Sequence, residues 1–296
     1  MDWFGIASRR AAYVALACLA LLWGMNWSVM KFGLQHADPI IFNIERTWVA
    51  IATLFAVLLL QRRRFWPESW LAVCVTGVFQ TTVNFGATSM ALASGGAGRT
   101  AVLVFTMPFW TLRIAWPVLG ERVRGSQWFA VTFALTGLVL IVEPWNWEGD
   151  LVPKLWATIS GLGWAGGTVA QAYFQRQRRL EGMTLVTWQM VVGILPVCLI
   201  PLFLDLPGAE WNAVYLGSIL YAGVIASGVG FVLWVGILGW LPAGTATLNM
   251  LVIPVIALLS SMLIFGERLT TLEWVGIASI GVGLAIISGR AWKTGR

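Results

Sequence analysis

In the middle of its long apolar stretches this chain carries a small set of residues suited to binding. Trp23, Trp110 and Trp164 each lie about half a stretch deep. An indole offers a flat face for stacking on another ring or over an ammonium group, and an N–H that wants a partner once buried. Asn26 follows Trp23 by three residues, on the same helical face, and Asn84 and Asn249 bring further amides into apolar surroundings. Such groups cost free energy unless bonded or hydrated, so Asn26, Asn84 and Asn249 are candidates to line a polar cavity. Gln80 and Gln171, nearer the ends of their stretches, read as interhelical hydrogen-bond formers. Glu45, Arg46 and Arg113 are the charges at comparable depth. Glu45 is a candidate carrier of a coupling proton. Glu45 and Arg46 point about 100° apart on a helix, however, which favours structural ion pairs with separate partners. Arg113 has Glu121 as a candidate partner, or snorkels.

Catalysis finds little support. The sole histidine, His36, stands in a short link without a partner motif, and no Walker, HExxH or GxSxG pattern occurs. Cys18, Cys74 and Cys198 are far apart and lack metal-ligand spacing. No cofactor or metal is expected, and an integral membrane enzyme is the weak alternative.

The elements that must position these residues follow from composition. With 58% hydrophobic and 11% charged residues the chain has too little polar surface for a soluble domain of 296 residues. Its mean hydropathy is +0.80. Ten apolar stretches approach or exceed the length that crosses a hydrocarbon core as a helix: 12–32, 39–60, 69–92, 97–118, 126–143, 153–174, 183–204, 212–238, 243–264 and 272–289. The first follows Arg9 and Arg10 as a signal peptide would, but its apolar residues run on to Met30, too far for an h-region. The expected fold is an all-α integral membrane protein. The sequence does not set the oligomeric state, and a monomer is compatible with it.

Net charge +6 and a pI near 9.7 could suggest nucleic acid, but the distribution of charge argues against it. Arg9, Arg10, Arg62 to Arg64, Arg122, Arg124, Arg176, Arg178, Arg179 and Arg290 fall on alternate connections. The opposite side holds most of the acids, including Asp38, Glu143, Asp205, Glu210 and Glu273. This positive-inside asymmetry places both termini in the cytoplasm of a bacterial-type inner membrane.

Gly-Glu-Arg occurs at Gly120 and again at Gly266, 146 residues later. At that offset Pro108 also meets Pro254, Trp128 meets Trp274 and Gly137 meets Gly283, while Trp23 meets Trp164 at an offset of 141. Residues 12–143 and 153–289 therefore read as two five-helix repeats. Five is odd, so the second copy enters the membrane inverted, an arrangement that favours alternating access. Pro108, beside Met107, and Pro254 interrupt corresponding helices and free the carbonyls of Val104 and Met250, a pointer to a midplane binding site. The Gly of each repeated word reads as a helix end, and its charges as interface markers.

Ten spans, "LLWGMNWSVMKFGL" in the first, Arg46 in the second and "GER" after the fourth and ninth resemble the EamA branch of the drug/metabolite transporter superfamily. The chain looks most like the YddG-type exporters of aromatic amino acids within that branch. The resemblance implies a basket-like ten-helix bundle with a central cavity, and export of amino acids or related amphipathic metabolites from the cytoplasm. Cationic aromatic drugs are the alternative cargo.

Overall fold

In the computed structural model the described residues are 6–94, 103–123, 125, 127–143, 145, 151–266 and 268–293, and every regular element among them is helical. The helices are α1 (Arg9–Gly33), α2 (Pro39–Leu60), α3 (Trp70–Gly77), α4 (Asn84–Ser94), α5 (Met107–Leu119), α6 (Gln127–Val142), α7 (Leu151–Ala172), α8 (Gly182–Cys198), α9 (Ala213–Leu220), α10 (Gly230–Trp240), α11 (Ala243–Asn249), α12 (Val252–Phe265) and α13 (Thr271–Lys293). Wide π-helical segments, Val78–Val83 and Tyr221–Val229, join α3 to α4 and α9 to α10, so each pair forms one long rod. A third, Tyr173–Gln177, extends α7.

Local chemistry starts and stops these helices. The side chains of Ser8, Asp38, Ser69, Glu181 and Asn212 each accept a backbone N–H in the first turn of α1, α2, α3, α8 and α9. At the far ends of α5 and α12, Gly120 and Gly266 adopt φ of +71° and +68°, the left-handed conformation that glycine accepts without strain. The Gly of the repeated word thus closes a helix in both halves; Glu267 lies outside the described residues.

Among the described residues six stretches are long and apolar enough to cross a membrane: Arg9–Gly33, Pro39–Leu60, Trp70–Ala91, Gly182–Leu202, Ala213–Trp240 and Ala243–Phe265. Trp128–Ile141 and Thr271–Gly283 are shorter apolar helices. The stretch expected at 97–118 starts among residues outside the described set.

Contacts at the helix ends sort the bundle into two faces. At one, Thr184 Oγ1 donates to the Arg64 carbonyl, Trp240 Nε1 to Ile6 at 2.9 Å, and Arg176 meets Glu121. At the other, the Glu210 N–H donates to the His36 carbonyl at 2.8 Å, and Phe32 packs on Phe265. Between these faces the two halves of the chain interleave: α1 packs on α10 and α12, α7 on α4 and α5, α3 on α8, and α2 on Tyr221–Val229.

The most extensive pairing, α6 with α13, depends on small residues. A Cβ on Gly137 would stand 2.5 Å from the Gly276 carbonyl oxygen, and one on Gly283 would stand 2.9 Å from that of Ala130. Gly137 and Gly283 are 146 residues apart, as are Ala130 and Gly276, so each contact is the other's counterpart. Ser279 Oγ donates at 2.8 Å to the carbonyl of Phe133, its own counterpart at that offset. Because backbone cannot yield to a methyl group, Gly137→Ala is expected to cost about 1–3 kcal/mol, whereas Gly217→Ala, with nothing within 4 Å, is expected to be neutral or slightly stabilising. Thermal melting of the two variants in detergent checks the contrast.

Candidate functional site

The residues around the cavity come from seven different helical rods. Trp23 on α1 and Trp164 on α7 meet edge to face with ring centroids 5.2 Å apart. Phe231 and Trp234 of α10 close the group: Phe231 lies 5.9 Å from each of those indoles, and Trp234 6.1 Å from Trp23 and 5.9 Å from Trp164. This four-ring box has a local cause. Gly230 leaves room for the Trp23 indole, whose Nε1 would stand 2.5 Å from a Cβ there. That nitrogen donates at 2.7 Å to the carbonyl of Ala226, within the π-helical segment. Widening the helix shifts its carbonyls out of register and makes one available to a side chain.

Three rings of the box, Trp23, Trp164 and Phe231, form one wall of a cavity of ≈ 110 Å³, in which several waters or a small organic group fit. Trp23, Asn26, Asn84, Met107, Trp164 and Arg46 all line it. Trp27, Phe85, Phe105 and Phe231 add aromatic surface that the sequence reading did not single out. Met107 and Ile253 are counterparts at the 146-residue offset, as are Val104 and Met250, and all four line the cavity.

The interrupted helices explain that last placement. Phe105–Thr106 and Met250–Leu251 are turns just before α5 and α12, so the chain breaks shortly ahead of each proline rather than bending at it. Pro108 and Pro254 are buried within the first turn of the following helices, off the cavity surface. The Met250 carbonyl, expected to be freed, is not: it accepts the Ile253 N–H at 2.9 Å.

Other expected residues have other roles. Trp110 is 36% exposed and donates at 3.2 Å to Thr106 Oγ1, outside the cavity. Asn249 also lies off the cavity, with its amide donating at 2.8 Å to the Thr245 carbonyl one turn back. Asn84 spends its amide on Ser160, at 2.9 Å to Oγ and 3.1 Å to the carbonyl, and Thr88 completes the triangle at 2.7 Å from Ser160. It therefore both lines the cavity and ties α4 to α7. The interhelical bonds expected of Gln80 and Gln171 are not formed: their amide atoms are buried without a protein partner among the described residues.

Among the described residues neither Glu45 nor Arg46 forms an ion pair. The Glu45 carboxylate accepts from Tyr215 Oη at 2.5 Å, clamping α2 to α9 off the cavity. Arg46 turns inward, where Nε donates to Asn43 Oδ1 and the guanidinium lies 4.7 Å from the centre of the Phe85 ring.

One acid is used differently from the sequence expectation. Glu121, of the first Gly-Glu-Arg, turns into the protein instead of marking an interface. Its Oε1 accepts from Arg176 Nη1 at 3.1 Å and from the Ala243 N–H at 3.0 Å, and Oε2 accepts from the Gly244 N–H at 3.0 Å. Arg176 Nε in turn donates at 2.7 Å to the Leu238 carbonyl. Burial pulls the Arg176 guanidinium below its ordinary pKa, and Glu121 pulls it back up. Arg113 is exposed and is not the partner of Glu121. A carboxylate at the N-terminus of α11 is favoured by the unpaired N–H groups and the helix dipole.

Comparison with known proteins adds the family context. The profile of the EamA-like transporter family matches twice, over residues 10–143 and 152–289. The chain is 26% identical over 304 residues to a probable amino-acid metabolite efflux pump of Escherichia coli K12, covering 97% of each. It is 24% identical over 278 residues to the uncharacterized transporter YoaV of Bacillus subtilis, covering 92% of this chain and 94% of that one. A protein of known crystal structure, 16% identical, superposes with a TM-score of 0.78 over 97% of this chain and 99% of its own, a likeness of fold alone.

Proposed function

Because the chain belongs to the EamA-like transporter family, and is thus a multi-pass membrane transporter of metabolites, we propose that it exports amino acids, aromatic ones foremost, through alternating access of two inverted five-helix repeats. The observation that carries the proposal is the aromatic box, with Trp23 and Trp164 contributed by corresponding helices of the two halves. Such a wall binds a flat ring by stacking and excludes the water that a polar cargo without an apolar body would need.

Three features support the inverted arrangement. The family profile matches once per half. Contacts between α6 and α13 are reciprocal at the repeat offset. The breaks before α5 and α12 occur at corresponding positions and bring counterpart residues to one cavity. Interrupted helices meeting at the pseudo-two-fold axis are a common architecture for a transporter site.

The positive-inside asymmetry puts the termini and the Glu121–Arg176 contact on the cytoplasmic side. In that orientation the cavity lies beyond this contact, nearer the outer face, among residues of α1, α4 and the chain around the start of α5.

Proteoliposomes loaded with labelled L-phenylalanine or L-tryptophan test the cargo. Protein-dependent, saturable efflux is expected, faster for these than for L-serine or L-aspartate. A flux confined to cationic aromatic dyes would transfer the assignment to drug export.

A further inference from the structure

Arg46 and Asn26 both line the cavity, and each brings a group that responds to charge. Arg46 is 6% exposed and is the charged residue among those lining the cavity. Its Nε is spent on Asn43, whose own amide donates to Ser89 Oγ, and its guanidinium lies over the Phe85 ring. These contacts fix the guanidinium without neutralising it: among the described residues no carboxylate lies within ion-pair distance. A buried guanidinium at this depth is costly unless it meets an anion.

Asn26 is 8% exposed and has one amide atom committed. Its Nδ2 lies 3.2 Å from Met30 Sδ. A thioether sulfur accepts and cannot donate, so the atom facing it is the NH2 group, and the amide orientation is fixed by chemistry. Oδ1 is then the other end, buried and without a protein partner among the described residues. The lining residues thus include one fixed cation and one amide with an unpaired acceptor, beside the aromatic box.

We propose that Arg46 binds the carboxylate and Asn26 Oδ1 the ammonium group of an α-amino acid zwitterion, so that the site selects amino acids over both simple acids and cationic amines. This rests on the transport reading above but is independent of the side chain carried. A guanidinium suits a carboxylate because its N–H groups match both oxygens, and its permanent charge disfavours any cargo that is only cationic.

The test is equilibrium binding of radiolabelled probes to the purified full-length protein. One set is L-tryptophan, indole-3-propionate and tryptamine; a second is L-leucine, 4-methylpentanoate and 3-methylbutylamine. In the unmodified protein each amino acid should bind more tightly than its acid or amine analogue. Arg46→Gln should weaken the amino acid and the acid by on the order of tenfold or more while leaving or improving the amine, and Arg46→Lys should restore part of the loss. Asn26→Leu should weaken the amino acid and the amine but spare the acid. Equal weakening of all probes by Arg46→Gln, the response of a purely structural residue, would overturn the proposal, as would tightest binding of the amines or no binding by either set. If the leucine set follows the pattern and the tryptophan set does not bind, the zwitterion site stands and the aromatic assignment falls.

Discussion

Trp23→Ala is expected to lower unfolding free energy by about 3–5 kcal/mol and to abolish most binding of an aromatic substrate. Its indole packs against three other rings, with centroids 5.2 Å from Trp164, 5.9 Å from Phe231 and 6.1 Å from Trp234. Truncation also leaves the Ala226 carbonyl without its 2.7 Å donor and opens a void beside Gly230, whose missing side chain cannot fill it. Trp23→Phe keeps ring contacts but loses the hydrogen bond, which contributes about 0.5–1.5 kcal/mol, so it should sit between wild type and Ala. Binding isotherms together with thermal melts separate the two losses. A folded Trp23→Ala protein with unchanged affinity would remove the aromatic box from the site.

The second large effect is expected at Glu121. Glu121→Ala leaves Arg176 without its carboxylate and two N–H groups at the start of α11 without an acceptor. Hydrogen bonds to charged groups contribute about 1.5–3 kcal/mol each, less here because the Glu121 and Arg176 side chains remain 17% and 29% exposed. The loss should fall on the face of the bundle that this carboxylate holds shut. In a background lacking Cys18, Cys74 and Cys198, a cysteine placed at buried Ala246 should react with an impermeant maleimide on the order of tenfold faster when Glu121 is Ala. Glu121→Gln, which keeps an acceptor oxygen but no charge, should fall between. Adding Arg176→Ala to Glu121→Ala should cost only the Arg176 bond to the Leu238 carbonyl, since the carboxylate contact is already gone. Unchanged labelling would mean that apolar packing alone closes this face.

The features legible in the sequence were those the repeat doubles. Trp23 and Trp164 stand out because two equivalent helices each place an indole at mid-depth, and Gly120 and Gly266 because each follows the last turn of an apolar helix. Phe231 and Trp234 had no such mark. They sit in a uniformly apolar helix whose hydrophobic residues give no preferred face, and their role follows from the π-helical segment before them, which single-sequence periodicity does not disclose. Arg46 was visible as a buried charge but suggested an ion pair, because its lack of a carboxylate is a fact of packing between α2 and α4. Pro108 and Pro254 stand in the first turns of α5 and α12; the breaks fall just ahead of them, so neighbouring residues line the cavity instead. Glu121 misled for a similar reason. A charge next to a helix-ending glycine ordinarily marks an interface, and only the three-dimensional return of α11 shows that it has an internal partner.

Counterflow in proteoliposomes tests the central claim most directly. With saturating unlabelled L-tryptophan inside and a trace of labelled L-tryptophan outside, a single binding site alternating between two faces predicts a transient accumulation of label above its equilibrium level, lost in the Trp23→Ala variant. Label that only equilibrates, at a rate unaffected by internal tryptophan, would contradict the account.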